Sequence, residues 1–525
     1  MSSTLLMRRA AAAVASFVQQ QFPQARQVTV LCGRGNNGGD GMMAARLLVE
    51  AGLGVRALLL GTPEELRDDA ALAWEELGGV AGCVRGVVQS ESDLAEFSCA
   101  LLADVLVDAV VGTGFTPPLR GLALAAREWM LASSAAVVAV DLPSGWAADG
   151  TDAEPAGPVF AADAVITFTA PKPAHVFGHL TRGWRQPVVV APIGSLAESV
   201  LSTWGVSWAG GAVDKVQAPR QRAANKGSYG HVLVVGGSIG HSGAASMTGL
   251  AALRAGAGLV TVAVPAALAA MVAAVAPELM TAELAATRDG SIAAENLERI
   301  GELTARKTVL AVGPGMGQSA EAARFLMALL EETRMPAVVD ADGLNLLALA
   351  EAAHRGTIAR LADRRLLVLT PHPGEMSRLV GIPVSEIQTG RLNVARSFAE
   401  RHGVTLVLKG ARTVIASPDG AVAVNTSGNP GMAKGGSGDL LTGLIAGLLA
   451  QSAESAQWME TIAAAVWLHG LSADMAVRAG DEHTLLATDS LRYLSAAFRY
   501  RPCGQNGYVW LQGQRDGRPA LQGEA

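Results

Sequence analysis

Short apolar runs alternate with alanine-rich stretches of helical period along most of this 525-residue chain. VTVL (28–31), VRALLLG (55–61), VLVDAVVG (105–112), AVVAVDLPSG (136–145), AVITFTA (164–170) and PVVVAPIG (187–194) read as strands, most of them closed by Gly, Pro or Asp. Strands that are apolar throughout, with helices between them, predict a parallel sheet covered on both faces. The rhythm lapses over WAGGAVDKVQAPRQRAANKGSYG (208–230), which is polar and Gly-rich, and a domain boundary is placed at 212/213. It resumes with HVLVVGGSIG (231–240), LVTVAVP (259–265), TVLAVGPGMG (308–317), AVVDADGLN (337–345), LLVLTPHPGE (366–375) and TLVLKGA (405–411). TVIASPDGAVAVN (413–425) reads as a hairpin turning at Asp419-Gly420. The expectation is an α/β protein: a Rossmann-like parallel-sheet domain over 1–212, a second α/β domain over 213–500, and a Gly- and Gln-rich tail, 501–525, expected to be disordered.

Two apolar stretches invite a membrane reading. The first, MSSTLLMRRAAAAVASFV, has a short apolar run followed by Gln19, Gln20 and Gln21, so a surface helix is expected rather than a signal peptide. The second, residues 255–277, is uncharged and long enough to span a bilayer, but Gly256, Gly258 and Pro265 interrupt it. A strand followed by a buried helix is the reading that fits. The formal net charge of -6 argues against capture of nucleic acid or anionic membrane. Cys32, Cys83, Cys99 and Cys503 show no paired spacing and are read as reduced thiols of a cytoplasmic protein.

Chemistry concentrates in loops that follow strands. GRGNNGGDG (33–41) satisfies G-x-G-x-x-G through Gly33, Gly35 and Gly38. A dinucleotide fold would also need an acid at the end of the second strand, and there Glu64 and Glu65 stand only beyond Pro63. The loop further carries Asp40 where a phosphate would sit. DAVVGTGFTPPLRG (108–121) and DLPSG (141–145) end two neighbouring strands, so all three loops converge on one crevice. Together they offer Asn36, Asn37, Asp40, Asp108, Asp141 and Ser144. Asp141 is the acid–base candidate, the alternative being a turn cap. In the second half, GNPGMAKGGSGDLLTG (428–443) places Gly435 to Gly438 just before an apolar helix, an anion-binding arrangement of backbone amides. Asp439 opens that helix. A carboxylate beside a phosphate suits a base that deprotonates an attacking hydroxyl, the alternative again being a cap.

CGRGNNGGDG, VDAVVGTG, PLRG, VDLPSG and FTAPKPAH resemble the N-terminal YjeF domain of the NAD(P)H-hydrate epimerase family, over about 5–194. The resemblance implies K+ held by Asn37, Asp108 and Ser144. It implies hydrated nicotinamide nucleotide (NADHX or NADPHX) held by Asn36, Asn37, Gly38, Gly39, Asp40, Gly112, Thr113, Gly114, Phe115, Thr116, Pro117, Pro118 and Asp141. It also implies a helix ahead of LMRRA that this sequence does not contain. NKGSYG, GPGMG, DADGLN, LTPHPGEM, LKGARTVI and GGSGD resemble the ADP/ATP-dependent NAD(P)H-hydrate dehydratases, which are ribokinase-like, over about 219–497. That resemblance implies ADP, as co-substrate with Mg2+, on Lys409, Gly410, Ala411, Arg412, Thr413 and Gly438. It implies substrate facing Gly315, Gly317, His372 and Asp439. Asp340 and Asp342 stand open as Mg2+ ligands or as helix-capping acids. The whole implies epimerisation of R and S hydrates followed by ADP-dependent dehydration of the S form. Small molecules and further copies of the same chain are the expected partners. A ribokinase-like small-molecule kinase with a non-catalytic N-terminal nucleotide-binding module is the alternative.

Overall fold

The computed structural model describes residues 1–183, 186–196, 200, 202, 204–451, 457–504 and 506–512. The apolar runs become strands buried at nearly every position, as helices on both faces require. The chain forms two compact units, residues 1–201 with 501–525 and residues 202–500. In the first lie β1 (Gln27–Cys32), β2 (Gly54–Leu60), β3 (Cys83–Val88), β4 (Val105–Ala109), β5 (Ala136–Val140), β6 (Ala164–Phe168) and β7 (Val188–Ala191). In the second lie β8 (Val206–Trp208), β9 (His231–Val235), β10 (Leu259–Pro265), β11 (Met280–Leu284), β12 (Val309–Val312), β13 (Ala337–Val339), β14 (Leu367–Leu369), β15 (Thr405–Leu408), β16 (Val414–Ala416) and β17 (Val422–Val424). A last strand, β18 (Val509–Trp510), belongs to the first unit.

The first sheet runs β18-β7-β6-β5-β4-β1-β2-β3 and is parallel except for β18. The order reverses beside β1, where the chain leaves toward β2 and later returns as β4. Loops following β1 and β4 therefore turn to opposite faces and leave a crevice at their carboxyl ends. The second sheet runs β11-β10-β9-β12-β13-β14-β15-β16-β17-β8 and has the same kind of reversal between β9 and β12. The hairpin read at Asp419-Gly420 is β16–β17, with Gly420 in the left-handed region. The uncharged segment 255–277 is β10 followed by the helix Ala266–Ala273. Among the described residues no helix is long and apolar enough to cross a membrane.

The structure corrects the sequence reading at two junctions. The division falls at 201/202 rather than 212/213, because Val206–Trp208 pairs with β17 as an edge strand of the second sheet. Three residues are too short a run to stand out by pattern. The tail is the larger correction. Residues 506–512 return to the first unit, where β18 pairs antiparallel with β7. Tyr508 donates to the Ala13 carbonyl at 3.1 Å, and the amide of Val188 donates to Gln512 at 3.0 Å. Trp510 is buried with its ring 6.2 Å from that of Phe17. The tail's overall composition hid one apolar cluster, YVWL (508–511). The rest of it, 513–525, lies outside the described residues. Removing 501–525 from the full chain is expected to lower the first unit's melting temperature, since burying a large apolar side chain contributes about 1.5–3 kcal/mol. Calorimetry should show the second unit's transition unmoved; an unmoved first transition would mean that β18 adds nothing.

Candidate active sites

The first site is built on the ends of β1, β4, β5 and β6. The helix Asn36–Glu50 starts directly after β1 with no side-chain cap, so its first amides face the crevice. Its glycines have a steric reason. A Cβ on Gly33 would collide with the Val110 carbonyl oxygen, and one on Gly38 with the Gly33 carbonyl oxygen. Asp108, at the end of β4, is fully buried. Its Oδ1 accepts from Ser144 Oγ (2.6 Å) and Val110 N (3.2 Å), and its Oδ2 from Ser144 N (2.7 Å). Burial nevertheless pushes its carboxyl up to about 6, since those hydrogen bonds offset only part of the desolvation. The Asn37 amide nitrogen is buried without a hydrogen-bond partner and lies against Gly112.

Asp141 follows β5 with φ of 67°, a left-handed conformation that costs a non-glycine residue energy. Its Oδ1 accepts from Thr167 Oγ1 (2.7 Å) and Lys172 Nζ (2.7 Å). A Cβ on Gly112 would stand 3.3 Å from its Oδ2, so that oxygen faces the β4 loop. Burial works against the Asp141 charge, but Lys172 and Thr167 outweigh it and hold the carboxyl below its usual range. Asp40 is pushed the other way, well above the usual range, by burial and then by the Asp141 charge. The crevice thus pairs an ionised carboxylate with one that favours its proton, the division of labour that acid–base chemistry needs. Thr113, Gly114, Thr116 and Pro118 are exposed along the β4 loop, with Phe115 and Pro117 partly covered.

The second site lies at the ends of β13, β14 and β15 and at the start of the helix Ser437–Leu449. That helix has no side-chain cap either, and Gly436 before it is left-handed. Asp340, at the end of β13, is 1% exposed. Its Oδ1 accepts from Lys409 Nζ (2.6 Å) and its Oδ2 from Thr442 Oγ1 (2.8 Å). Lys409 Nζ also lies 3.6 Å from the buried Glu375 carboxylate. Any side chain at Gly438 would meet Lys409 Nζ at 3.3 Å and Asp340 Oδ2 at 3.5 Å, so this ammonium sits directly under the helix start. Burial, then Asp340, and further Asp342 and Glu375, push Asp439 up to about 7 against the pull of Lys409.

Residues 232–495 match the family described as NAD(P)H-hydrate dehydratase, and residues 3–174 the YjeF-related protein N-terminus. A bifunctional NAD(P)H-hydrate repair enzyme of Moorella thermoacetica is 40% identical over 511 residues, covering 95% of this chain and 92% of that protein. One of Escherichia coli is 36% identical over 497 residues, covering 92% and 87%. The chain belongs to the bifunctional NAD(P)H-hydrate repair enzymes. Among solved structures, the ADP/ATP-dependent NAD(P)H-hydrate dehydratase of Bacillus subtilis, co-crystallised with ATP and Mg2+, is 30% identical. It covers 55% of this chain and 96% of its own, with a TM-score of 0.46. The match to repair enzymes over nearly the whole chain favours repair over the small-molecule kinase alternative.

In this repair enzyme the sequence-read residues gather as two separate sets. Asn37, Gly112 and Asp141 adjoin one another, with Asp108 and Ser144 hydrogen-bonded at the neighbouring strand end. Lys409, Gly438, Asp439 and His372 form the second set. His372 caps the helix Pro373–Val380, its Nδ1 accepting from Gly374 N (2.9 Å), and its half-exposed ring reaches toward Glu375. Burial holds His372 below its ordinary value. The Arg412 side chain turns away from this set, donating to the Thr426 carbonyl (3.2 Å), and Thr413 donates to the Gly410 carbonyl (2.9 Å). Gly315 and Gly317 are both left-handed, and Gly317 N donates to Asp342 Oδ2 (3.0 Å). Asp342 Oδ1 accepts from Gln318 (2.7 Å). Each of these oxygens, like those of Asp340, accepts a hydrogen bond from the protein, and Asp342 ties down the GPGMG loop.

The sequence reading missed Lys172, Thr167, His175, Glu375 and Asp474. Asp474 receives Gly428 N and Asn429 Nδ2, both at 2.9 Å, and so fixes the loop that leads into the glycine helix. A signal was there: a single Asp inside the apolar run of the helix Trp458–Ala479.

Proposed function

We propose that the first unit interconverts the R and S epimers of hydrated NADH and NADPH, and that the second dehydrates the S epimer with ADP. Asp439 carries this reading: a partly buried carboxylate raised to about 7 at an uncapped, glycine-rich helix start. As base it takes the proton of the substrate hydroxyl, which attacks the terminal phosphoryl group of ADP and releases AMP. Phosphate then leaves with its bonding electrons as the ring loses a proton, restoring the dihydronicotinamide. Hydroxide is a poor leaving group and phosphate a good one, which gives ADP its purpose. The amides at Gly435 to Gly438 hold phosphoryl oxygens, and Lys409 offsets the surrounding carboxylates so that an anion can approach. Mg2+ enters with the nucleotide phosphates, as is usual for this ion.

In the first unit, Asp141 is the acid–base group acting on the hydroxyl-bearing carbon, with the substrate pyrophosphate near the start of the helix Asn36–Glu50. K+ fits Asn37, Asp108 and Ser144. Asp108 and Ser144 supply hard oxygens, the Asn37 amide nitrogen has no partner and the amide can turn its oxygen to the same point, and among the described residues no basic side chain acts on the buried Asp108 charge. Bound there, K+ would offset carboxylate and pyrophosphate charge. Potassium is expected to raise the first unit's melting temperature more than choline at equal ionic strength, and Asp108→Asn to erase the difference. Equal melting in both salts would remove K+ from the reading.

The function is tested with an R/S mixture of hydrated NADH, Mg2+ and K+, following recovery of the reduced-nicotinamide absorbance with ADP, with ATP and with neither. Complete recovery, faster than spontaneous epimerisation allows, is expected with ADP. Recovery that halts at the S fraction would withdraw the epimerase. A persistent phosphorylated product would overturn dehydration.

A further inference from the structure

The loop after β6, TAPKPAH (169–175), grips Asp141 twice. On the side chain, Lys172 Nζ donates to Oδ1 (2.7 Å) and to Thr167 Oγ1 (2.6 Å), and Thr167 donates to the same Oδ1 (2.7 Å). On the backbone, the amide of Lys172 donates to His175 Nδ1 (3.0 Å). That fixes the ring proton on Nε2, which donates to the Asp141 carbonyl oxygen (2.7 Å). His175 is 1% exposed, and burial keeps it neutral by lowering it to about 4. One short segment therefore holds both ends of a residue in a strained left-handed conformation.

The consequence is directional. With Oδ1 engaged by two donors, Oδ2 is the oxygen turned to Gly112 and Asn37. We propose that Lys172 is a positioning residue of the epimerase reaction, pinning Asp141 Oδ1 so that Oδ2 alone is presented to the substrate carbon and its hydroxyl. His175 sets the backbone on which this arrangement depends. The inference rests on Asp141 as the acid–base group. Among the described residues no other side chain is hydrogen-bonded to that carboxylate, and Asp108 and Ser144 bond to each other at the next strand end. A free carboxylate would rotate between equivalent oxygens, and loss of alignment costs rate more than binding.

The test uses the full chain, with R-epimer of hydrated NADH as substrate and excess coupled dehydration as readout. Lys172→Met is expected to lower the epimerase kcat about 10²-fold with KM changed less than about threefold, the split that lost positioning produces. The dehydratase rate measured on S-epimer in the same protein should be unchanged, which controls for enzyme concentration and the coupling step, and the first unit's own melting transition controls for its folding. Added methylammonium or ethylammonium should restore part of the kcat by filling the place of Nζ. A merely structural lysine would lower the melting temperature without such rescue. Thr167→Val, which keeps the volume, is expected to lose about tenfold in kcat by loosening the same oxygen. Asp141→Asn separates the two readings. If it retains activity, the role of Asp141 fails. If it is inactive while Lys172→Met has the parent's kcat, or loses kcat that no amine restores, the positioning role of Lys172 is overturned.

Discussion

Asp439→Asn is expected to stop dehydration and to make the second unit more stable. Loss of a general base lowers kcat by about 10²–10⁴-fold. The stability gain follows from the direction in which the fold moves this group. The Asp439 carboxyl stands at about 7 in the fold, above its ordinary value, so folding opposes its charge. That penalty is absent in acid and grows as pH rises from the ordinary carboxylate range through about 7, where it levels off. A tenfold change in proton affinity between the folded and unfolded chain is worth about 1.4 kcal/mol, so the variant should gain on the order of 2–4 kcal/mol at alkaline pH and little in acid. In the parent enzyme the same group is expected to make the dehydratase rate fall as pH drops below about 7. Melting curves across pH, with rates on S-epimer and ADP, check both. A variant destabilised at alkaline pH would show that the Asp439 charge is held by the fold, not opposed by it.

Lys409→Met should strongly destabilise the second unit. Burial would push Asp340 up, yet the Lys409 ammonium wins and keeps it below its usual range. Removing the cation leaves a 1% exposed carboxylate without a counter-charge. Breaking a buried pair from one side typically costs about 3–5 kcal/mol. Lys409→Met/Asp340→Asn should recover much of that loss, because the neutral amide still offers an oxygen to Thr442 and no charge remains buried. Activity should not return in the double variant, since the ammonium under Gly438 is still missing. Denaturant melts of the two single variants and the double give the coupling, expected at about 1–3 kcal/mol. Additive losses would mean that Asp340 and Lys409 are held independently.

The sheets were legible because their strands are apolar on both faces, and such runs announce themselves without any knowledge of topology. Most of the site was legible for a related reason. Loops at the carboxyl ends of parallel strands converge, so GRGNNGGDG, VVGTG and DLPSG could be placed together from order alone. What escaped depends on geometry across the sheet. Lys172 reaches Asp141 only because the loop after β6 folds back over β5, and nothing in FTAPKPAH marks its lysine off from a solvated one. Arg412 is a second case: its side chain donates to the Thr426 carbonyl, a contact that nothing in LKGARTVI announces. Edge strands were the other loss. β3 is exposed at several positions, and β8 and β18 are too short to show a period.

The strand β18 gives the enzyme an order of completion that its order of synthesis does not share. The first unit leaves the ribosome first, yet its sheet edge at β7 waits for Val509–Trp510, made roughly 300 residues later. At about 5–20 residues per second that is a delay on the order of 15–60 s with an open strand edge. Open edges recruit other strands. A nascent or interrupted chain therefore carries a sticky, unfinished epimerase unit, and only translation through residue 510 closes it.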